Sequence, residues 1–285
     1  MNHPAPIPTP SVCESVPPAR TSARLWIGIL AVAMSGLALW MLIDLKQYPC
    51  EHSFHHQIDS PALAIELAST REEAATVLRP TCTSQANPAS APAAAHSSLL
   101  RNTIQDCFFI PLYTLFIWSS GSLFAVQKDR PWTTSRRILT GATIATAVSD
   151  YVENVGIFRL LCFGPSDTLA RWTCWPSRIK WIMFALSLLV TAVILLRSQN
   201  KMYSIATRRL FAIAYLVIGI LLVVGIWRPV LIGLGTITFA VIVLLQIAAL
   251  LGPYVGRLFP PDHPKYEDDF CERKEKEKVD LAVHE

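Results

Sequence analysis

Long apolar stretches separated by short charged ones set the pattern of this chain. Leu25 to Ile43 is the first, preceded by Arg20 and Arg24 and stopped by Asp44 and Lys46. Others run over 107–126, 138–160 and 179–196. The apolar run 210–251 is too long for one crossing, and Arg228-Pro229 divides it into 210–227 and 230–251. Each segment has about the 20 residues an α-helix needs to cross a bilayer core. The pattern therefore predicts an all-α fold: a polytopic membrane bundle of six transmembrane helices, over residues 24–251.

The polar segments complete the plan. Residues 1–23 hold Pro4, Pro6, Pro8, Pro10, Pro17 and Pro18 and read as a disordered tail. A cleaved signal peptide is the competing reading of the first apolar run, but that run is long and no small-x-small site follows it. Residues 44–106 form an outer loop. Within it Ser60-Pro61 reads as an N-cap followed by proline at the first helical position. Leu63, Leu67, Ala74 and Leu78 then recur at near-helical spacing up to Pro80, predicting one amphipathic helix over 61–79. Asn87 to Ala95, with Pro88 and Pro92, reads as a flexible linker. Residues 252–285 form a second polar tail.

Six crossings put both termini on one side. Arg20 and Arg24, then Lys128, Arg130, Arg136 and Arg137, then Arg197, Lys201, Arg208 and Arg209 all fall there. The excess of Lys and Arg marks that side as cytoplasmic, despite Arg171, Arg178 and Lys180 opposite. The expected location is a bacterial inner membrane with both tails in the cytoplasm.

Composition agrees with this plan. Only 16% of the 285 residues are charged, against about a quarter in soluble domains. The net charge of +4 is small and scattered, with no nucleic-acid-binding motif. Membrane lipids are the expected surroundings. Ser119, Ser120, Gly121, Ser122 and Ala125 give the second span a small-residue face through which helices, or copies in a homo- or hetero-oligomer, would approach closely.

The seven cysteines carry no Cys-x-x-Cys pair, which argues against a disulfide oxidase. Cys50, Cys82, Cys162 and Cys174 fall on the outer side, where disulfides persist. Cys50 with Cys82 and Cys162 with Cys174 are the candidate bridges, with unpaired cysteines as the alternative, since connectivity cannot be deduced from sequence.

Candidate chemistry concentrates in Asp150-Tyr151-Val152-Glu153-Asn154, inside the third apolar segment. Asp150, Glu153 and Asn154 share one helix face, continued inward by Thr143 and Thr146. Ionisable groups at bilayer depth are costly and face the bundle, a partner or a water-filled cavity. Asp106, Tyr113 and Lys180 fall at the same outer level as candidate partners, with Arg159 also near. The cluster has three readings: a buried network fixing helix register or binding a partner or lipid, the coupling site of a proton- or cation-driven carrier, or an enzyme using Asp150 or Glu153 as general base.

Other chemistry is weaker. His52, His55 and His56 have metal-ligand spacing, but no helix signal covers them and a solvated loop is expected. No histidine falls in a span, and no Ser-His-Asp set, phosphate loop or haem-ligand pair is visible. No cofactor is expected, and an enzyme is the less favoured class.

Ile65-Glu66-Leu67-Ala68 with Leu78, Asp106 to Phe109 with Pro111 and Tyr113, Asp150-x-x-Glu153-Asn154 and Lys180-Trp181 together resemble a group of bacterial multi-pass membrane proteins, over roughly residues 60–195. The Asp-x-x-Glu-Asn element is the most specific part. That group carries no activity to transfer. The resemblance implies that Glu66, Asp106, Tyr113, Asp150, Glu153, Asn154 and Lys180 act as one unit.

Overall fold

The computed structural model describes residues 18–46, 48, 54, 58, 60–79, 91–125, 134–198 and 205–258. These form helices and no strands: α1 Pro18–Leu45, α2 Pro61–Leu67, α3 Arg71–Leu78, α4 Ala91–Ala125, α5 Thr134–Phe163, α6 Asp167–Arg197, α7 Ile205–Gly225 and α8 Val230–Leu258. Four of them, α1, α6, α7 and α8, are long and apolar enough to cross a membrane. Each of the six long helices packs on the next, α1 on α4, α4 on α5, α5 on α6, α6 on α7 and α7 on α8, and α8 returns to α1.

The termini of these elements differ from the sequence expectation. Helix α1 starts at Pro18, inside the segment expected to be a tail, and α8 runs on to Leu258. Proline opens a helix without penalty, since its missing N–H has no helical partner there. The expected linker is also helical from Ala91 onward. Its alanines are strong helix formers, and Ala95, Ser98 and Leu99 are buried. Pro111 consequently lies deep inside α4, not in a first turn.

The expected single loop helix is two. Ser60 caps α2 as expected, its Oγ accepting from Leu63 N at 3.4 Å. The chain then breaks at Ala68 and Ser69, because Thr70 starts a new helix with a capping box. Thr70 Oγ1 accepts from Glu73 N at 3.2 Å, and Glu73 Oε2 accepts from Thr70 N at 3.2 Å and Ser69 N at 2.7 Å. Both short helices are pinned to the long ones. Arg71 N donates to Asp167 Oδ1 at 2.7 Å, and Cys174 Sγ donates to Leu67 O at 3.5 Å. The Tyr48 hydroxyl donates to Val77 O, and burial pushes that phenol far above its usual range.

Between α5 and α6 the chain reverses in three residues. Gly164 adopts φ +80°, a left-handed conformation that costs glycine no Cβ clash, and its N–H returns to Leu160 O at 3.0 Å. Ser166 then caps α6, accepting from Leu169 N at 3.3 Å. This tight hairpin makes α5 and α6 antiparallel in fixed register. Asp150 lies thirteen residues before Phe163 and Lys180 thirteen after Asp167, each roughly 20 Å along its helix. Gly156 lets the pair close, since a Cβ there would stand 2.6 Å from Thr173 Oγ1 and 3.2 Å from Thr173 Cα.

Helix α5 is polar inside and apolar outside. On α5, Thr143, Thr146, Asp150, Glu153 and Asn154 are buried, while Ile144, Val148, Val152 and Val155 are exposed. On α7, Leu210, Ile213, Val217, Ile220 and Val224 form an exposed apolar stripe; Val230, Leu234, Ile237, Val241 and Leu244 do the same on α8. The small-residue face of α4 is buried as expected at Ser120, Gly121 and Ser122. A Cβ on Gly121 would collide with Leu139, and Thr191 Oγ1 would be 3.1 Å away.

Candidate functional site

Helical spacing turns Asp150, Glu153 and Asn154 of α5 to one side, and the α5–α6 hairpin brings Lys180 opposite them. Lys180 Nζ lies 2.8 Å from Glu153 Oε1, 3.1 Å from Asp150 Oδ1 and 3.1 Å from Glu66 Oε2. One ammonium thus joins α6 to two carboxylates of α5 and one of the loop helix α2. Charge-assisted bonds of this kind are the strong ones, and they are strongest where water is excluded.

α4 supplies the rest. Tyr113, two turns along from Asp106, donates its hydroxyl to Asp150 Oδ2 at 2.6 Å. Asn154 Nδ2 donates to Asp106 Oδ2 at 2.9 Å. Tyr113, Asp150, Glu153 and Lys180 of the sequence cluster are therefore in direct contact, with Glu66 joined to them, and Asp106 and Asn154 form a second bonded pair beside them. Arg159 is not part of it: its guanidinium lies over the Trp172 ring, 6.0 Å from the centroid. Thr143 and Thr146 share the buried face, but their hydroxyls return to Leu139 O and Ala142 O of their own helix.

Pro111 contributes through what it lacks. A proline leaves the carbonyl four residues earlier without its helical donor, here that of Cys107. The Tyr151 hydroxyl fills the gap, donating to Cys107 O at 3.1 Å. Beneath the charged cluster lies an aromatic floor. Tyr113 meets Phe184 edge-on at 5.6 Å, Phe184 meets Phe239 at 5.3 Å and Phe239 meets Phe116 at 6.5 Å. Phe239 comes from α8, which no pattern in the sequence connects to the site.

Beside the cluster is a cavity of about 100 Å³ between α1, α2, α4 and α5. Glu66, Asp106, Asn102, Thr103 and Asn154 give it a polar wall, and Met41, Leu45, Leu99 and Ile157 an apolar one. Asp150, Glu153 and Lys180 are not among its lining residues. Four carboxyl groups in the site face one ammonium, so charge balance calls for protons or an outside cation. Glu153 Oε2 is buried with no hydrogen-bond partner, and so is Asn102 Nδ2. Glu66 is in the loop helix, and burial there raises its carboxyl above the usual range, with Lys180 opposing.

Asn102 and Thr103 escape sequence reasoning because their segment reads as loop. The one signal for them is helical spacing back from Asp106. A second buried polar contact is equally silent in the sequence: the Tyr215 hydroxyl donates to Gln246 Oε1 at 2.7 Å between α7 and α8.

The cysteine expectation needs correction. Cys162 and Cys174 are both free, Cys162 exposed and Cys174 buried. Cys174 faces the Leu67 carbonyl in the packed interior, while Cys162 lies on the open surface, so they do not meet. Cys50 and Cys82, like His52, His55 and His56, lie outside the described residues. Among the described residues no group of three or more His, Cys, Asp or Glu is arranged to hold a metal ion. No family description, curated protein or solved structure matches the chain.

Proposed function

We propose that this chain is a six-span integral membrane protein, a helical bundle in which the cluster around Lys180 clamps the loop helix α2 onto α5 and α6. Both termini face the cytoplasm in this reading, as the placement of Arg136, Arg137, Arg197, Arg208 and Arg209 favours. The observation that carries the clamp is the single ammonium of Lys180, held within 3.1 Å of carboxylates from α2 and α5. The apolar outer faces of α5, α7 and α8 support burial in lipid. Although α5 is polar inside, it turns Ile144, Val148, Val152 and Val155 outward, as a helix at bilayer depth must. The protein is read as a non-enzymatic membrane component. Asp150 and Glu153 are engaged with Lys180 rather than set against the cavity, which counts against either as a general base.

Removing the cation tests the clamp. Lys180→Met leaves three acidic partners unpaired, and breaking a buried pair in this way costs about 3–5 kcal/mol. The variant should lose folded yield in membranes and melting temperature in detergent. Neutralising the partners as well, in Lys180→Met with Glu66→Gln, Asp150→Asn and Glu153→Gln, should recover much of the loss. A Lys180→Met protein as stable as wild type would remove the clamp from consideration. The topology has its own test in a membrane-impermeant maleimide on intact cells. It should label the exposed Cys162 without prior reduction in a variant keeping only that cysteine. Labelling of Cys162 from the cytoplasmic side alone would reverse the orientation.

A further inference from the structure

We propose that the cavity beside the clamp is a binding site for a small primary ammonium that also carries a hydrogen-bond acceptor, the chemistry of an ethanolamine group. Such a site goes beyond the clamp, with which it shares Glu66. Its acidic wall is Glu66 and Asp106, on α2 and α4. Glu66 is already turned to Lys180, whereas Asp106 Oδ2 receives one hydrogen bond, from the neutral Asn154 amide. A carboxylate so placed favours a cation in the adjoining space.

The second observation is independent of the acids. Asn102 lines the same cavity, is only 6% exposed, and its Nδ2 has no hydrogen-bond partner. A buried amide donor left unpaired is destabilising, a cost that a ligand oxygen would remove. A bare metal ion offers no acceptor to that amide. A primary ammonium with a neighbouring oxygen satisfies the acid and the amide together. Size sets the limit: about 100 Å³ holds roughly three or four water-sized groups at about 30 Å³ each. The short carbon stem would lie against Met41, Leu45, Leu99 and Ile157, which line the other side.

Ethanolamine occurs free and as a lipid headgroup, and one experiment separates the two. The full-length protein is placed in nanodiscs of phosphatidylglycerol alone and titrated with ethanolamine by calorimetry, with sodium chloride and tetramethylammonium chloride as controls. Saturable binding of ethanolamine and of neither control is expected. Asp106→Asn and Asn102→Leu should each weaken it at least tenfold in protein that elutes as folded and melts cooperatively. Asn102→Leu alters no charge, so it carries the comparison if Asp106→Asn does not fold. Repeating the titration with phosphatidylethanolamine in the discs identifies the source. Lost binding means that the headgroup occupies the site; unchanged binding means the free amine does. No binding in the phosphatidylglycerol discs, equal binding of sodium, or full affinity in folded Asn102→Leu would each overturn the proposal. The clamp would stand in all three cases, since its test is the stability of Lys180→Met.

Discussion

The hydroxyl of Tyr151 donates to the main-chain carbonyl of Cys107, 3.1 Å away on the neighbouring helix. That carbonyl is the one Pro111 deprives of its helical donor. The two helices are thus joined at the point where α4 is weakest, at the level of the charged cluster. Asn154, on the next turn of α5, holds Asp106 beside it.

Tyr151→Phe should therefore destabilise the protein by about 0.6–1 kcal/mol, the usual range for such a bond within a membrane protein. The loss should shrink toward zero in a Pro111→Ala background, where the alanine N–H supplies the missing helical donor. A double-mutant cycle read from detergent or urea unfolding measures the coupling. Equal losses in both backgrounds would show that Tyr151 does not serve the proline gap.

Gly156→Ala should separate α5 from α6. The added Cβ would meet Thr173 Oγ1 at 2.6 Å and the Thr173 backbone at 3.2 Å, one turn from Glu153. Overpacking of this kind costs about 1–3 kcal/mol. Thr173→Ala should restore part of the loss, because it removes the hydroxyl but leaves the backbone contact. The check is melting temperature of the single and double variants. A Gly156→Ala protein with unchanged stability would mean that the helices are not held this closely.

Glu66 gives a pH dependence with a definite sign. Its carboxyl is raised above 4.5 in the folded protein, chiefly by burial. Above pH 4.5 the folded state then holds this proton more firmly than the unfolded chain does. Stability from this group declines as pH rises through the window between the two values. The difference in melting temperature between wild type and Glu66→Gln should accordingly fall as pH is raised from 4.5. A flat or rising difference would contradict the burial of Glu66 against Lys180.

Much of the site is legible in the order of residues. The spacing of Asp150, Glu153 and Asn154 places them on one face, and the apolar segment around them requires that face to turn inward. Asp106, Tyr113 and Lys180 follow from their level in neighbouring segments. The break between α2 and α3 is written in Thr70-x-x-Glu73, a capping box, but the apolar spacing from Leu63 to Leu78 runs across it. The start of α4 is hidden because Pro88 and Pro92 interrupt its alanines, and it takes the burial of Ala95, Ser98 and Leu99 together with alanine's helix propensity to favour a helix over a linker.

The helices, their apolar outer faces and the polar inner face of α5 follow from the order of residues, because they depend on spacing along one chain. Packing between helices settles the rest: which acids share Lys180, that Cys162 and Cys174 lie apart, that Phe239 closes the site from beneath and that Asn102 lines a cavity. Those facts depend on how far each helix is turned and slid against its neighbours. That register is fixed by a three-residue reversal at Gly164, a missing Cβ at Gly156 and a proline gap at Pro111, and none of these has a periodic signature along the chain.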